Sequence, residues 1–292
     1  MEKATITITC GEVAENHVGM QKLGDIADVG FTIVDLERGK DYFEGLGKTC
    51  ELVRLDSELP VPPAAILIVR NAFSNADNLL EELKRLTWDT KAKMRGRVVD
   101  KRARYNLCFA KDGQKADYSA GKGTVVAFRD VPLLQKVLGD LPKALGEKAH
   151  DLYAEGNLYY DVSKCGIGFH GDGERKRVVA FRLGDTMPLH YQWFLRGKSI
   201  GKRFKLSLRH GDLYVMSEKA SGYDWKRKIV PTLRHAAGAR KYLLFVPKEF
   251  RKIKIRELKV YVKENGIEMT KEGTGRNGNF VKEDYLRAIV RE

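Results

Sequence analysis

Two histidines and one aspartate form the clearest chemical pattern in this sequence. His170 and Asp172 are separated by a single glycine, and His235 follows much later in the chain. Because side chains alternate along a β-strand, His170 and Asp172 can point to the same side and bind one ion together. A second histidine from a distant strand completes the facial arrangement of non-haem Fe(II) sites, which leaves three positions open for a cosubstrate and O2. We therefore predict His170, Asp172 and His235 as metal ligands and as the catalytic centre.

A second His-Gly-Asp segment competes with the first one. His210 and Asp212 have the same spacing, but they leave little chain before His235 for the strands that must separate the two ligand segments. They also lie between the apolar runs 206–208 and 213–216, where His-Gly-Asp is typical of a tight turn between strands. The first segment is therefore the predicted metal site, and the second is a predicted turn.

The composition limits the class of protein. The 292 residues are 43% hydrophobic and 32% charged, which is enough for one large domain with a small appendage. The four cysteines are scattered without a Cys-x-x-Cys pair, and no apolar run approaches the roughly 20 residues of a membrane span. The alternating N-terminal pattern also differs from a secretion signal. We therefore expect an intracellular protein (nuclear, cytoplasmic or in a nucleoid) that is monomeric and does not bind membranes.

The charge balance favours a polyanionic partner. Lys and Arg outnumber Asp and Glu by 53 to 39, which gives a formal charge of +14 and a pI near 9.5. The segment 91–104 concentrates these cations, and Tyr105 or Trp88 beside it could stack on an extruded base. We therefore expect nucleic acid as the partner, with DNA favoured over RNA. The predicted nucleic-acid contacts are Lys93, Arg95, Arg97, Arg102, Arg104 and Tyr105.

The surrounding elements indicate a β-rich fold. From about residue 98 to 246, short β-type runs alternate with glycine turns, and a helical stretch near 134–153 interrupts them. This pattern predicts an α+β, mainly β protein built on a double-stranded β-helix, or jelly roll, with flanking helices. The proline-rich segment at 60–63 marks a stiff break. The predicted domains are an N-terminal extension of unknown role (1–58), a jelly-roll domain (59–250) and a small helical C-terminal segment (251–292).

From about residue 64 to 246 the chain resembles the AlkB-like 2-oxoglutarate- and Fe(II)-dependent dioxygenases. The segments that carry the resemblance are Asn157-Leu158-Tyr159, His170-Gly171-Asp172, Leu208–Met216 and Thr232–His235. The resemblance implies Fe(II) as the metal, 2-oxoglutarate and O2 as cosubstrates, and hydrogen bonds from Asn157 and Tyr159 to 2-oxoglutarate. It also implies hydroxylation of a base in nucleic acid, for example an N-methylated base in repair or modification.

The same family carries an arginine, beyond its distal histidine, that pairs with the far carboxylate of 2-oxoglutarate. A planar guanidinium suits this role because it donates two parallel hydrogen bonds to a carboxylate. In this chain Arg240 follows His235 by fewer residues than the family pattern has. The resemblance implies Arg240 for the role, with Lys241 and Arg251 as alternatives.

The last segment of the chain predicts two helices, at 253–264 and 281–290, around a glycine-rich loop. This arrangement is similar to a SAP-like DNA-binding motif. In that case its cations supply salt-sensitive affinity for DNA. A helical hairpin that simply packs on the main domain is the alternative.

The sequence is compatible with three functions. The leading hypothesis is a dioxygenase that uses Fe(II) and 2-oxoglutarate to hydroxylate a methylated base. The second keeps this chemistry but has a protein side chain or a small molecule as its substrate. The third is a noncatalytic DNA-binding module in which the histidines are structural. Metal binding separates the third hypothesis from the other two, and substrate tests separate the first from the second.

Overall fold

Two β-sheets of unequal size form the frame of the protein in a computed structural model, which describes residues 3–56, 59–244, 250, 252–270 and 272–290. In chain order the strands are β1 (Thr5–Gly11), β2 (Ala14–Glu15), β3 (Lys22–Leu23), β4 (Cys50–Arg54), β5 (Ala65–Val69), β6 (Lys91–Met94), β7 (Arg97–Asp100), β8 (Tyr105–Ala110), β9 (Val125–Ala127), β10 (Tyr153–Tyr159), β11 (Gly166–His170), β12 (Val178–Gly184), β13 (Met187–Leu195), β14 (Lys198–Leu208), β15 (Leu213–Met216) and β16 (Thr232–Gly238). The helices are α1 (Ile33–Gly45), α2 (Ala76–Lys84), α3 (Pro132–Leu145), α4 (Glu218–Ser221), α5 (Arg240–Leu243), α6 (Ile255–Glu264) and α7 (Lys282–Val290).

The strand order brings distant parts of the chain together. The larger sheet runs β4-β5-β15-β12-β1-β10-β8-β9, and its strands are antiparallel except for the β8–β9 pair. The smaller sheet runs β11-β16-β13-β14 and is antiparallel throughout. Two short hairpins, β2–β3 and β6–β7, form separate ladders. The prediction of a mixed α+β protein is confirmed.

The N-terminal strand β1 lies inside the larger sheet. It pairs with β12 on one side and with β10 on the other. The alternation in Thr5–Gly11 explains its two faces, because Ile6, Ile8 and Cys10 join one buried cluster while Thr7 and Thr9 face the opposite side. The segment 1–58, predicted as an extension of unknown role, therefore supplies a central strand of the sheet that carries the later elements.

Two hydrophobic clusters lie on opposite faces of the larger sheet. The first cluster combines side chains of this sheet with those of α1, α2 and α3. The second combines Ile66, Tyr214 and other residues of the larger sheet with Tyr191 and Trp193 of the smaller one. The two sheets therefore pack face to face, with the helices covering the outer face of the larger sheet. Trp193 is fully buried between them and donates a hydrogen bond from Nε1 to the carbonyl of Leu55.

Local signals explain where the longer helices begin and end. Thr32 and Asp35 form a capping box at the start of α1. Proline occupies the first turn of α3, where its missing N–H costs nothing. The helical stretch expected near 134–153 ends earlier, because Gly146 adopts a φ of 71° and Tyr153 begins β10.

The C-terminal helices α6 and α7 pack against each other. Leu258, Val262, Tyr285 and Leu286 form a small buried cluster between them. The helical character predicted for 251–292 is confirmed for the described residues of this segment. Among the helices described, none combines the length and the apolar character that crossing a membrane requires.

Candidate metal centre

The pairing of β11 with β16 brings the predicted ligands together. His170 lies directly opposite His235 in this antiparallel pair, and a register shift in β11 precedes His170. Asp172 follows in a turn, and its backbone N–H donates to the carbonyl of Ser221. Gly171 allows this close approach, because a Cβ at that position would lie 2.1 Å from the carbonyl oxygen of Gly222.

The three side chains converge on one point. Oδ1 of Asp172 lies 3.7 Å from Nε2 of His170 and 3.6 Å from Nε2 of His235. The ligand atoms all lie within 4.8 Å of one another, and Asp172 and His235 are buried while His170 is half-buried. A small ion drawn between them would need only modest side-chain adjustment to bind all three. This buried group could therefore bind a metal ion.

The protonation states suit metal binding. Burial, together with His235, lowers the pKa of His170 to about 3, so its imidazole is neutral. Nδ1 of His170 lies 2.8 Å from the carbonyl of Gly168, to which it donates, and this leaves the lone pair on Nε2 for a metal. Burial raises the pKa of Asp172, but the hydrogen bond with His235 and the charge of Arg175 outweigh it and hold this pKa well below its usual value.

An ion pair supports the aspartate from behind. Arg175 is buried, and its Nη2 donates to Glu155 at 2.6 Å and to Glu174 at 2.8 Å. Its Nε lies 3.9 Å from Oδ2 of Asp172. The buried charges on this side therefore include both signs, which limits the cost of removing them from water.

A cavity of about 620 Å³ opens beside the three ligands. Its floor includes a row of paired residues on the larger sheet, in which Arg182 of β12 pairs with Thr7 of β1 and Thr7 with Asn157 of β10. The row of pairs continues to Asn106 of β8, which is not one of the residues that line the cavity. Directly paired residues of antiparallel strands present their side chains on the same face. The floor of the cavity therefore includes a polar row that crosses three strands.

Both residues predicted to bind the cosubstrate lie at this cavity. Tyr159 is buried and contributes to the wall. The Oδ1 atom of Asn157 already accepts hydrogen bonds from Arg104 and Asn106, and its Nδ2 donates to Glu155. Asn157 is therefore fixed by its protein neighbours within the cavity wall.

The predicted carboxylate-binding cations lie elsewhere. Arg240 is exposed at the first turn of α5 and is not one of the residues that line the cavity. Lys241 beside it is exposed as well, and Arg251 lies outside the described residues. Arg182 is the buried cation on the cavity floor. Sequence reasoning missed it, although a lone arginine in the apolar run of β12 was a usable signal.

The predicted nucleic-acid residues divide into two groups. Lys93, Arg95 and Arg97 lie on the β6–β7 hairpin, beside a shallow groove that shares residues 18–20 with the main cavity. Arg104 instead lines the cavity itself and donates to Asn157. The first group is thus placed next to the cavity mouth.

The remaining members of that prediction lie nearby. Arg102 is exposed, and its carbonyl accepts a hydrogen bond from Tyr160. Tyr105 stacks on Tyr160 with ring centroids 4.8 Å apart. Trp88 is buried and donates to the carbonyl of Leu83, so it offers no stacking surface.

An aromatic side chain that the sequence did not single out lies closer to the metal ligands. Trp225 lines the cavity and packs against the turn at Gly171 and Gly173. Residues 15–20 of the N-terminal segment form another part of the cavity wall. The positions of Trp225 and of residues 15–20 at the cavity depend on contacts between segments that are far apart in the chain. Local sequence patterns do not predict such contacts.

The fold and the site define a mixed α+β protein with a buried His-Asp-His group that could bind a metal ion. No protein-family model matches the chain. The chain is 47% identical over 250 residues to the uncharacterized protein R156 of Acanthamoeba polyphaga mimivirus, and this alignment covers 82% of the chain and 98% of the viral protein. The chain therefore belongs to the same family as that viral protein.

Proposed function

We propose that the protein is a dioxygenase that uses Fe(II) and 2-oxoglutarate to hydroxylate a base in nucleic acid. The observation that carries this proposal is the convergence of His170, Asp172 and His235 at one side of a large cavity. Two imidazoles and one carboxylate are a donor set suited to Fe(II), and they leave positions for a chelating cosubstrate and O2. A structural group of the same residues would need no cavity beside it.

The sheet arrangement supports a jelly-roll frame for this site. Strands β11 and β16, which carry the two histidines, are neighbours in the smaller sheet, and this sheet packs face to face with the larger one. In such a frame the ligands lie between the two sheets at the open end, so the metal is reachable from the cavity and shielded elsewhere.

Each residue has a distinct task in the proposed reaction. His170, Asp172 and His235 would hold Fe(II), which together with 2-oxoglutarate and O2 supplies the oxidant for C–H hydroxylation. The Arg175–Glu155 pair positions Asp172, since it lies behind that carboxylate. The cavity wall fixes the orientation of the substrate and keeps other C–H bonds away from the oxidant.

The proposed substrate rests on the surface beside the cavity. The β6–β7 hairpin carries Lys93, Arg95 and Arg97 together with two exposed apolar side chains, Met94 and Val98. Cations suit the phosphates of a nucleic acid, and exposed apolar groups suit its bases. Because the groove beside the hairpin shares residues 18–20 with the main cavity, a base that leaves the stack there would lie next to the cavity that contains the candidate metal ligands.

The C-terminal helices add a second candidate surface for DNA, in line with their similarity to a SAP-like motif. Exposed cations on α6 include Arg256, Lys259 and Lys263. They would contribute nonspecific affinity that falls with increasing salt. Removing residues 253–292 should then weaken binding to any DNA sequence and leave metal binding unchanged.

Anaerobic titration with Fe(II) and 2-oxoglutarate tests the metal assignment. The wild-type protein is expected to develop a weak visible charge-transfer band, and the His170→Ala, Asp172→Ala double variant is expected to lack it. The His210→Ala variant changes the other His-Gly-Asp segment and serves as the matched control, which keeps the band. Persistence of the band in the double variant contradicts the assignment.

Turnover measurements test the substrate. Succinate release should increase with methylated single- or double-stranded oligonucleotides, and it should fall in a Lys93→Gln, Arg95→Gln, Arg97→Gln variant at physiological salt. Stimulation by peptides or small molecules but not by oligonucleotides would select an oxygenase with a different substrate. Tight DNA binding without binding of Fe(II), Mn(II) or Co(II) would select a noncatalytic module.

A further inference from the structure

Arg182 is a buried cation for which the described residues provide no counter-ion. Its side chain is 1% exposed and lines the main cavity. Its Nε and Nη1 atoms are buried without hydrogen-bond partners, and no carboxylate lies within ion-pair distance of it in the part of the chain that the structure describes. Burying a guanidinium in this state is costly, because it has lost water and gained no acceptor. A ligand in the cavity can supply that acceptor.

Thr7 offers a second unused donor beside Arg182. The two residues are direct partners in the β1–β12 pair, so their side chains lie next to each other on the same face. The Oγ1 atom of Thr7 is buried and, among the described residues, also has no hydrogen-bond partner. Further along the same row, Asn157 and Asn106 bond to each other. The unsatisfied donors are therefore confined to the end of the row at Arg182.

Two other arginines that line the cavity already have partners. Arg175 pairs with Glu155 and Glu174, and Arg104 donates to Asn157. Arg182 contacts the ring of Tyr159 as a cation–π neighbour, with 6.0 Å between its Cζ and the ring centroid, and this contact leaves its N–H groups free in the plane of the guanidinium. The site is thus built to receive one planar anion.

We propose that Arg182 and Thr7 form a carboxylate-binding subsite, and that it anchors the far carboxylate of 2-oxoglutarate while the other end of that molecule binds the metal. This inference rests on the proposed function. A carboxylate placed on the guanidinium accepts two parallel N–H bonds, and the Thr7 hydroxyl donates a third to one of its oxygens. The N-terminal strand and β12 together therefore select an oxo acid that has a second carboxylate.

Two ligands that share the 2-oxo acid end, of which only one has a far carboxylate, test this subsite. Pyruvate carries the same 2-oxo acid end as 2-oxoglutarate but has no second carboxylate. With Co(II)-loaded protein, the wild type should bind 2-oxoglutarate at least about 30-fold more tightly than pyruvate, because breaking a buried charge pair costs that much or more. The Arg182→Met variant should bind the two acids within about 3-fold of each other.

Three further variants separate the subsite from a general defect. Arg240→Met removes the exposed arginine and should keep the wild-type preference. Arg182→Lys keeps the charge but loses the bidentate geometry, so it should keep part of the preference. Thr7→Val removes one donor to a charged group and should reduce the preference by about 10-fold. Pyruvate affinity reports on the intact metal site in every variant, and a thermal unfolding midpoint near the wild-type value reports on folding.

The outcomes distinguish this inference from the function on which it rests. An undiminished preference for 2-oxoglutarate in folded Arg182→Met protein overturns the subsite and leaves the proposed function standing. If the wild type binds 2-oxoglutarate equally well with and without metal, while Arg182→Met loses that binding, the subsite stands and the oxygenase proposal fails. If the wild type binds neither 2-oxoglutarate nor succinate, both are overturned.

Discussion

The two His-Gly-Asp segments have the same three residues and opposite structural roles. In the first, Asp172 lies close to two histidines at the side of a cavity. In the second, Asp212 is buried against Arg70, with Oδ2 2.6 Å from Nη1, and it also accepts backbone N–H groups of Asn71 and Arg209. The first carboxylate is left with room for an ion, and the second has its acceptor capacity filled by the protein.

The histidines and glycines of the two segments differ in the same way. Nδ1 of His170 donates to a carbonyl, which frees Nε2, whereas Nδ1 of His210 accepts the backbone N–H of Gly184. Gly211 has a φ of 78° and forms part of a turn, while Gly171 allows its own backbone to lie close to the carbonyl of Gly222. A short motif therefore gains chemical meaning from the donors and acceptors that surround it, and not from its residues alone.

The largest expected effect comes from exchanging the two aspartates for asparagine. Asp172→Asn should weaken Co(II) binding by more than about 100-fold, because it removes the negative charge from the proposed ligand group of His170, Asp172 and His235. Asp212→Asn should leave Co(II) binding within about 2-fold but lower the free energy of unfolding by about 3 kcal/mol, since it leaves Arg70 poorly compensated. Metal titration and urea unfolding measure both quantities. The reverse pattern would remove the distinction between the two segments.

Replacing the two glycines with alanine should sharpen the same contrast. Gly171→Ala forces a Cβ against the Gly222 carbonyl at 2.1 Å, so we expect about 2–3 kcal/mol of destabilisation and weaker Co(II) binding. Gly211→Ala meets no atom closer than 3.2 Å, but its left-handed backbone costs about 1–2 kcal/mol. Metal affinity should be unchanged in the second variant. Equal loss of metal affinity in both would contradict the separate roles.

A smaller effect should appear in the pH dependence of apoprotein stability. The folded state holds the pKa of His170 near 3, below the ordinary value of about 6.5, so the unfolded chain binds more protons between these values. Stability is therefore lost as the pH falls through this window, by about 1–2 kcal/mol between pH 7 and pH 5. In the His170→Gln variant this contribution should be absent, so the free energy of unfolding measured with urea should change less between pH 7 and pH 5 than it does in the wild type. If that change in unfolding free energy is the same in the variant and the wild type, His170 is not buried in its neutral form.

Local patterns predicted the parts of the protein that depend on neighbouring residues. The spacing of His170 and Asp172 predicted two members of the buried group that could bind a metal ion, and the apolar runs on both sides of His210 predicted the turn there. Predicted helices at 253–264 and 281–290 agree closely with α6 and α7. In each case the deciding contacts lie within a few residues or within one turn.

The rest depends on strand pairings between distant segments. Nothing near Thr7 in the sequence shows that it will lie beside Arg182, because that register follows from the insertion of β1 between β10 and β12. The assignment of Arg240 relied on its distance from His235 along the chain. It did not take into account that α5 begins at Arg240 and leaves this side chain exposed.

The central position of β1 has a consequence for biosynthesis. This strand is synthesised well before its two partners, β10 and β12, which lie more than 140 residues later in the sequence. The larger sheet cannot form completely until those partners have been synthesised, so the backbone groups of β1 stay unpaired until then. Such long-range pairing also slows folding. Chaperone dependence and aggregation during synthesis should therefore depend strongly on Thr5–Gly11, although this strand is a small part of the molecule.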